Sequence, residues 1–184
     1  VLTTFLFNFL NYDAWETTLH RHDVFTFVRK CYLRGVKADD TMVVVATMRS
    51  AFRSKFGIPR QSGMVEGVRG EIVFRPAYRN PDALRGLEGF SHIWLLWDFS
   101  RAHRDDASWC PTVRPPRLGG NRRMGVWATR SPFRPNSIGL SSVRVVEIRL
   151  NTPEGPIIVV EGADLLDGTP IYDSKPYLPF TDCH

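Results

Sequence analysis

The stretch Ile93-Trp94-Leu95-Leu96-Trp97 consists of five consecutive apolar residues and is the strongest indication of a β fold in this sequence. A strand with one face in water alternates apolar and polar side chains, whereas a strand that is buried on both faces is apolar throughout. We therefore predict a strand over residues 92–99 and place it in the centre of a sheet or barrel.

The rest of the chain from Thr41 onward has the pattern of a β-rich domain, with short apolar runs divided by Gly, Pro and Asn. In the run that ends at Leu150 the apolar phase switches between Val145 and Val146, which predicts a β-bulge. A short helix is predicted over residues 80–87, with Asn80 as its N-cap. The predicted strands span residues 42–48, 71–74, 92–99, 124–129, 138–150 and 156–162. This pattern favours a mainly β fold, a small and mostly antiparallel β-barrel.

The first forty residues differ from the remainder, because they contain no proline and a single glycine, Gly35. Residues 15–34 have roughly helical apolar spacing and predict an amphipathic helix. The apolar run over residues 2–10 is too short to span a bilayer and lacks the features of a targeting signal. We predict an N-terminal extension of unassigned role over residues 1–40, a barrel domain over residues 41–184, and no membrane partner.

Composition and motifs exclude several classes of protein. Hydrophobic residues make up 43% of the chain and charged residues 23%, as in folded globular proteins. The cysteines Cys31, Cys110 and Cys183 form no CxxC pair, so we predict neither a zinc site nor any other metal site, and a reducing, cytoplasmic location. A Walker loop, a GxGxxG motif and a Ser-His-Asp order are absent from the sequence.

Positive charge is concentrated in one stretch of the chain. The formal net charge is +5, and no Asp or Glu occurs from Ala107 to Val146. Unopposed arginines in such a block favour an anionic partner. The arginines of this stretch are Arg114, Arg117, Arg122, Arg123, Arg130, Arg134 and Arg144.

Two loops could bind anions or a ligand. The loop over residues 55–61 ends in Pro59-Arg60-Gln61, where proline extends the backbone and the next two side chains offer hydrogen-bond donors. The alternative is an ordinary surface loop. In residues 114–123 prolines stiffen the first half and glycines free the second, so guanidinium groups could reach phosphates. The alternative is a flexible basic linker.

Two later segments carry further candidates. Residues 128–140 contain two prolines that keep the backbone stiff and its polar groups available to a purine edge, although a rigid connection between strands would have the same pattern. Residues 162–177 contain the turn Asp167-Gly168-Thr169-Pro170 and three carboxylates, Asp164, Asp167 and Asp173. The alternative for this segment is a common turn, but carboxylates near an arginine cluster are plausible ligand holders.

Taken together, these segments closely resemble the TrmO family, also called TsaA or YaeB-like, of tRNA N6-methyltransferases. The order and spacing of the matches hold from about Val43 to Phe180. The matching pieces are Phe56 with Pro59-Arg60-Gln61, Arg85-Gly86-Leu87-Glu88, Phe90-Ser91-His92, residues 114–120, Met124-Gly125-Val126, residues 128–140, Asp167-Gly168-Thr169-Pro170 and Lys175-Pro176-Tyr177.

The resemblance implies a dimeric β-barrel that binds S-adenosylmethionine without a Rossmann domain. It also implies methylation of N6 of the threonylcarbamoylated adenosine next to the anticodon of tRNA. The residues implied to bind the cofactor are Pro59, Arg60, Gln61, Ser100, Arg101, Arg130, Leu140, Gly162, Ala163 and Asp164. The residues implied to face tRNA phosphates are Arg114, Arg117, Arg122 and Arg134. Asp164 or Asp167 would accept the N6 proton or orient the base.

The sequence departs from the family pattern at both ends. Residues 1–40 match nothing in the family, and the chain stops at His184, where bacterial members commonly continue into a small C-terminal domain, which we expect to be absent here. Two other functions stay open from the sequence: a non-catalytic RNA-binding β-barrel module, and a methyltransferase that acts on another nucleobase or a small molecule.

Overall fold

Eight strands are present in the structure, a computed structural model that describes residues 42–103, 109–116 and 119–183. The predicted N-terminal extension and its helix therefore lie outside the described residues. The strands are β1 (Ala46–Arg49), β2 (Arg69–Phe74), β3 (His92–Asp98), β4 (Thr112–Val113), β5 (Met124–Gly125), β6 (Ile138–Arg149), β7 (Ile157–Glu161) and β8 (Pro170–Pro176).

Six of these strands close into a barrel in the order β1-β2-β7-β6-β3-β8, and every neighbouring pair is antiparallel. The remaining two, β4 and β5, pair with each other as a separate antiparallel hairpin. The predicted fold class is confirmed. Closure leaves no free edge among the six barrel strands, so the backbone of each strand is hydrogen-bonded to a neighbour on both sides.

Strand β3 lies between β6 and β8, which confirms the predicted strand, although in a closed barrel every strand has two neighbours and none is central. Its two faces are nevertheless not equally buried. Ile93, Leu95 and Trp97 point into the core, whereas Trp94 and Leu96 are only half-buried on the outer face. Part of that outer face is covered by the C-terminal segment, where the Trp94 indole N–H donates a 2.9 Å hydrogen bond to Asp182.

Strand β6 is twelve residues long and changes partner along its length. It pairs with β3 from Ile138 to Arg144 and with β7 from Arg144 to Arg149. The register against β7 shifts between Val145 and Glu147, so the predicted β-bulge is confirmed. The bulge lets β6 bend from one partner to the other, as bulges do at barrel corners.

The predicted short helix is a 3-10 helix over Pro81–Leu84, and its N-cap is confirmed. The Asn80 side-chain oxygen accepts a 3.0 Å hydrogen bond from the backbone N–H of Asp82. The helix is followed by a second 3-10 turn, Leu87–Gly89, which begins after Gly86.

Several strand predictions are wrong. The strand predicted over residues 42–48 begins only at Ala46, and the two-residue strand β4 was not predicted. Strand β8 was not predicted, because it carries few apolar residues and a proline at each end, where proline is tolerated in a strand. The predicted strand over residues 124–129 ends at Gly125, and Val126–Ala128 forms a 3-10 turn instead. Val126 is fully buried and anchors that turn.

Apolar side chains fill the interior of the barrel, so it is a packed core rather than a channel. After β7 the chain folds back over this core, and Ala163 and Leu165 are buried in it. A ligand site therefore has to lie on the loops around the barrel. No helix in the described part of the chain is long and apolar enough to cross a membrane.

Candidate functional site

Three loops that are distant in the sequence meet beside the barrel. The loop after β1 approaches the segment after β7, where the backbone N–H of Gly63 donates a 2.9 Å hydrogen bond to the carbonyl of Gly162. The loop before β6 joins them, because Arg130 Nη1 donates a 2.6 Å hydrogen bond to Gln61 Oε1. The structure thus brings together three of the segments that the sequence singled out.

Gly162 is required at this junction by its backbone conformation. Its φ of +81° lies in the left-handed region, which side chains other than glycine adopt rarely. A Cβ atom there would also lie 3.2 Å from the backbone nitrogen of Gly63. Glycine therefore allows the two loops to approach closely.

Asp164 lies where these loops meet, close to Ser62 and to the charge of Arg130. Its Oδ1 accepts a 2.6 Å hydrogen bond from the Ser141 hydroxyl on β6. Burial raises the pKa of Asp164 above its ordinary value, and the Ser141 hydrogen bond, the nearby charge of Arg130 and the backbone N–H groups of Asp164 and Ser62 oppose that rise. We call the group of Gln61, Arg130, Ser141 and Asp164 the Asp164 cluster.

A buried tryptophan supports this cluster from inside the barrel. Trp97 Nε1 donates a 3.0 Å hydrogen bond to Ser141 Oγ, so the chain of donors runs from Trp97 through Ser141 to Asp164. The indole lies directly over Gly139, where a Cβ atom would be only 2.2 Å from the ring. The absence of a side chain at Gly139 makes room for the indole.

Ser141 and Trp97 were not predicted as site residues, although Ser141 carries a signal in the sequence. Alternation from Val143 backwards places residue 141 on the inward face of β6. A serine at an inward position needs a hydrogen-bond partner, because an unpaired buried hydroxyl is costly. That partner is a carboxylate twenty-three residues away, which the sequence alone does not identify.

The three carboxylates of residues 162–177 do not form one group. Asp167 accepts hydrogen bonds from the backbone N–H of Ser50 at 3.1 Å and from Arg53, and so ties the segment before β8 to the loop after β1. Asp173 forms an ion pair of 2.8 Å with Lys175. Only Asp164 lies in the cluster with Arg130.

Three predicted cofactor residues lie outside the three loops that meet beside the barrel. Leu140 points outward from β6 and is 52% exposed, since Ser141 takes the inward position. Ser100 and Arg101 are exposed in the turn after β3, which is closed by a 2.7 Å hydrogen bond from Ala102 N–H to Phe99 O. Within the described residues, neither the Ser100 nor the Arg101 side chain forms a hydrogen bond to Asp164, and the apolar Leu140 side chain has no group that could form one.

The predicted RNA-facing arginines differ in their surroundings. Arg114 and Arg122 are exposed in the loop that connects β4 to β5, and Arg117 lies outside the described residues. Arg134 is half-buried, and its Nη1 donates to the carbonyl oxygens of Thr129 at 2.7 Å and Val126 at 3.3 Å. Arg134 therefore braces the loop before β6, a role that the sequence did not predict.

Comparison with known proteins finds the same family over most of the described chain. Residues 47–183 match the family model for the N-terminal domain of tRNA-methyltransferase O. The chain is 49% identical over 138 residues to the tRNA (adenine(37)-N6)-methyltransferase of Escherichia coli (strain K12), covering 75% of this chain and 57% of that protein. It is 34% identical over 138 residues to a Pyrococcus abyssi (strain GE5 / Orsay) protein named a probable S-adenosyl-L-methionine-binding protein, covering 75% of this chain and 68% of that one.

A solved structure agrees with these relatives. The crystal structure of TrmO from Pseudomonas aeruginosa is 38% identical with a TM-score of 0.61, and the match covers 78% of this chain and 58% of that one. The chain thus spans a little over half the length of the Escherichia coli relative and of this structure. Because the family model matches residues 47–183 and the barrel agrees with a solved TrmO, the chain belongs to the tRNA-methyltransferase O (TrmO) family.

Proposed function

We propose that this domain binds S-adenosylmethionine and methylates N6 of threonylcarbamoyladenosine next to the anticodon of tRNA. The Asp164 cluster is the observation that carries the proposal, since a half-buried carboxylate and the Arg130 guanidinium lie near each other there, beside a close-packed backbone junction. Relatives of this chain in Escherichia coli and mouse are named tRNA (adenine(37)-N6)-methyltransferases, which supports the same activity here.

The donor set of the cluster fits the charges of S-adenosylmethionine. The guanidinium of Arg130 suits the cofactor's carboxylate, because such pairs form strong charge-assisted hydrogen bonds. The carboxylate of Asp164 suits a positively charged group of the cofactor. The Pyrococcus abyssi relative, which is named for S-adenosyl-L-methionine binding, supports the choice of cofactor. The residues that we propose to line the site are Pro59, Arg60, Gln61, Ser100, Arg101, Arg130, Leu140, Gly162, Ala163 and Asp164.

When bound, the cofactor supplies an activated methyl group on a positively charged sulfur. The chain has to hold the adenosine N6 in line with that methyl group, so positioning provides much of the rate. Asp164 is the better candidate to accept the N6 proton, because burial raises its pKa toward the working pH and a base is most effective there. Asp167 is already engaged by Ser50 and Arg53, which favours a structural role.

The tRNA backbone would be held by exposed arginines. Neutralising phosphates supplies most of the sequence-independent affinity of a protein for nucleic acid. Arg114 and Arg122 in the β4–β5 loop have exposed side chains and are the candidates that the structure describes. Arg117, which lies outside the described residues, is a candidate by its position in the sequence. Arg134 would contribute through the loop that it braces.

Calorimetry with S-adenosylmethionine tests the cofactor site directly. We expect saturable heat with the wild-type chain. For Arg130→Ala we expect a dissociation constant that is larger by a factor of about ten to a hundred, since a hydrogen bond to a charged group contributes about 1.5–3 kcal/mol. Arg75→Ala is the matched control, an exposed arginine after β2 and outside the cluster. A wild-type chain without saturable heat would instead support a non-catalytic RNA-binding module.

Turnover of asparagine variants tests the proton acceptor. With saturating cofactor, we expect Asp164→Asn to lose most of the methylation rate while Asp167→Asn retains it. Asp173→Asn, which removes only the exposed pair with Lys175, is the control. Unchanged rates in both Asp164→Asn and Asp167→Asn would exclude acid-base catalysis by this segment.

Mass spectrometry of tRNA nucleosides identifies the substrate. In a strain that lacks the gene, the methylated form of threonylcarbamoyladenosine should disappear, and its persistence would favour a methyltransferase for another nucleobase or small molecule. We also propose a homodimer and a cytoplasmic location, as in the family that the chain resembles. Analytical ultracentrifugation and cell fractionation check these two proposals.

A further inference from the structure

Two tryptophans lie side by side on the surface of the described chain. The ring centroids of Trp109 and Trp127 are 5.8 Å apart at an interplanar angle of 45°, and the residues are 48% and 67% exposed. By contrast, Trp97 is buried in the core and Trp94 is half-buried. Exposed aromatic side chains in contact with each other mark a binding surface, because their apolar faces remain in water.

The local structure holds both rings in place. Trp109 precedes β4, and Trp127 lies in the 3-10 turn after β5. The pairing of Thr112 with Gly125 joins the two segments, and Val126 N–H donates a 2.9 Å hydrogen bond to Pro111 O. The buried Val126 then anchors the turn. The Trp109–Trp127 pair, which we call the platform, is therefore preorganised, and a ligand need not order it.

The surroundings of the pair are positively charged. The Arg134 guanidinium lies 5.2 Å from the centroid of the Trp127 ring, within the range of a cation-π contact. Arg134 Nη1 also donates a hydrogen bond to the carbonyl of Thr129. Thr129 precedes Arg130, so this hydrogen bond connects the aromatic pair to the Asp164 cluster. Both tryptophans fall within the stretch from Ala107 to Val146, which contains no acidic residue.

We propose that Trp127, supported by Trp109, stacks an unpaired RNA base that flanks the methylated adenosine, an inference that rests on the proposed function. Aromatic faces beside arginines commonly bind single-stranded RNA, since bases stack on the rings and the guanidinium groups bind the phosphates. A second copy of the chain fits this surface less well. In a twofold interface the same patch would face itself and bring the arginines of both copies together.

The test uses the full chain and an anticodon stem-loop RNA that carries threonylcarbamoyladenosine. Fluorescence anisotropy gives the RNA affinity of the wild type, Trp127→Ala and Trp127→Phe. We expect Trp127→Ala to weaken binding about tenfold and Trp127→Phe to retain most of the affinity, since stacking needs only an aromatic face. The salt dependence of binding should stay the same, because no phosphate contact is removed.

Tyr78→Ala is the matched control, because Tyr78 is an exposed aromatic residue that also lies among arginines, at the end of the 3-10 turn Pro76–Tyr78. It should leave RNA affinity unchanged. Affinity for S-adenosylmethionine should be the same in all variants, and circular dichroism confirms that each one folds.

The outcomes separate the platform from the proposed function. If the wild type binds and methylates the RNA but Trp127→Ala binds it equally well, the platform is wrong and the proposed function stands. If the wild type neither binds nor methylates the RNA, the proposed function fails and the platform with it. A Trp127→Ala variant that changes sedimentation but not RNA affinity would assign the surface to contact between copies and overturn the inference.

Discussion

Replacing Gly139 with alanine would place a methyl group against the indole ring of Trp97. The added Cβ would lie 2.2 to 2.5 Å from three ring atoms, whereas ordinary contact begins at 3.4 Å. The ring or the backbone of β6 therefore has to move by about 1 Å. The indole has little room to move. The ring centroids of Trp97 and Phe99 are only 4.2 Å apart, and Trp97 Nε1 donates a hydrogen bond to Ser141.

The expected loss of stability follows from these contacts. Overpacking a filled core costs about 1–3 kcal/mol, and a weakened buried hydrogen bond adds about 1 kcal/mol. Alanine offsets about 0.5 kcal/mol by restricting the unfolded chain. We therefore expect Gly139→Ala to lower the free energy of unfolding by about 1.5–3.5 kcal/mol, measured by urea denaturation with circular dichroism.

Gly125→Ala is the matched control, because it places the same methyl group in β5, where no atom lies within 4 Å of the added Cβ. Its stability should equal or slightly exceed that of the wild type. A double-mutant cycle with Trp97→Phe should show coupling, since the smaller ring relieves the clash. If the free energies of unfolding of Gly139→Ala and Gly125→Ala agree within about 0.5 kcal/mol, the steric argument for Gly139 is refuted.

Three further predictions concern the charged side chains around the site. The raised pKa of Asp164 means that its ionised form destabilises the fold near neutral pH and that this cost is relieved as the pH falls through the folded-state pKa. Wild type should therefore gain stability relative to Asp164→Asn as melting temperatures are compared from about pH 7 to about pH 4.5; a constant difference would contradict the shift. Asp167→Asn keeps an oxygen that can accept from Ser50 but loses the charge that pairs with the exposed Arg53, so it should cost about 0.5–1 kcal/mol of stability, with calorimetry showing unchanged cofactor affinity. Arg134→Ala removes the bonds to the Val126 and Thr129 carbonyls, so hydrogen exchange at the Thr129 amide should speed up, and unaltered protection would exclude the bracing role.

The elements that were predicted correctly depend on local chemistry. Strand β3 follows from the uninterrupted apolar run that begins at Ile93, and the bulge follows from the phase change at Val145. The N-cap at Asn80 depends on a contact only two residues long. Such features are confined to short windows of sequence, where periodicity and capping determine the outcome.

The elements that were predicted wrongly depend on pairing. Residues 170–176 have too few apolar residues to indicate a strand, yet they form β8 because β1 and β3 both offer unpaired backbone groups to them. Val126–Ala128 looks like a continuing strand but turns away, because the buried Val126 anchors the chain there.

Residue type and spacing alone determine three features of this protein. They are the arginine-rich stretch, the Pro-Asn-Ser segment before β6 and the resemblance to TrmO. Which carboxylate meets Arg130 was decided only by tertiary structure. Asp164 and Asp167 are three residues apart and chemically identical, but closure of the barrel places Asp164 against Ser141 and directs Asp167 to Arg53. The two partners differ in burial, because the inward Ser141 is fully buried whereas the Arg53 side chain is 79% exposed, and only the folded chain determines which carboxylate reaches each one.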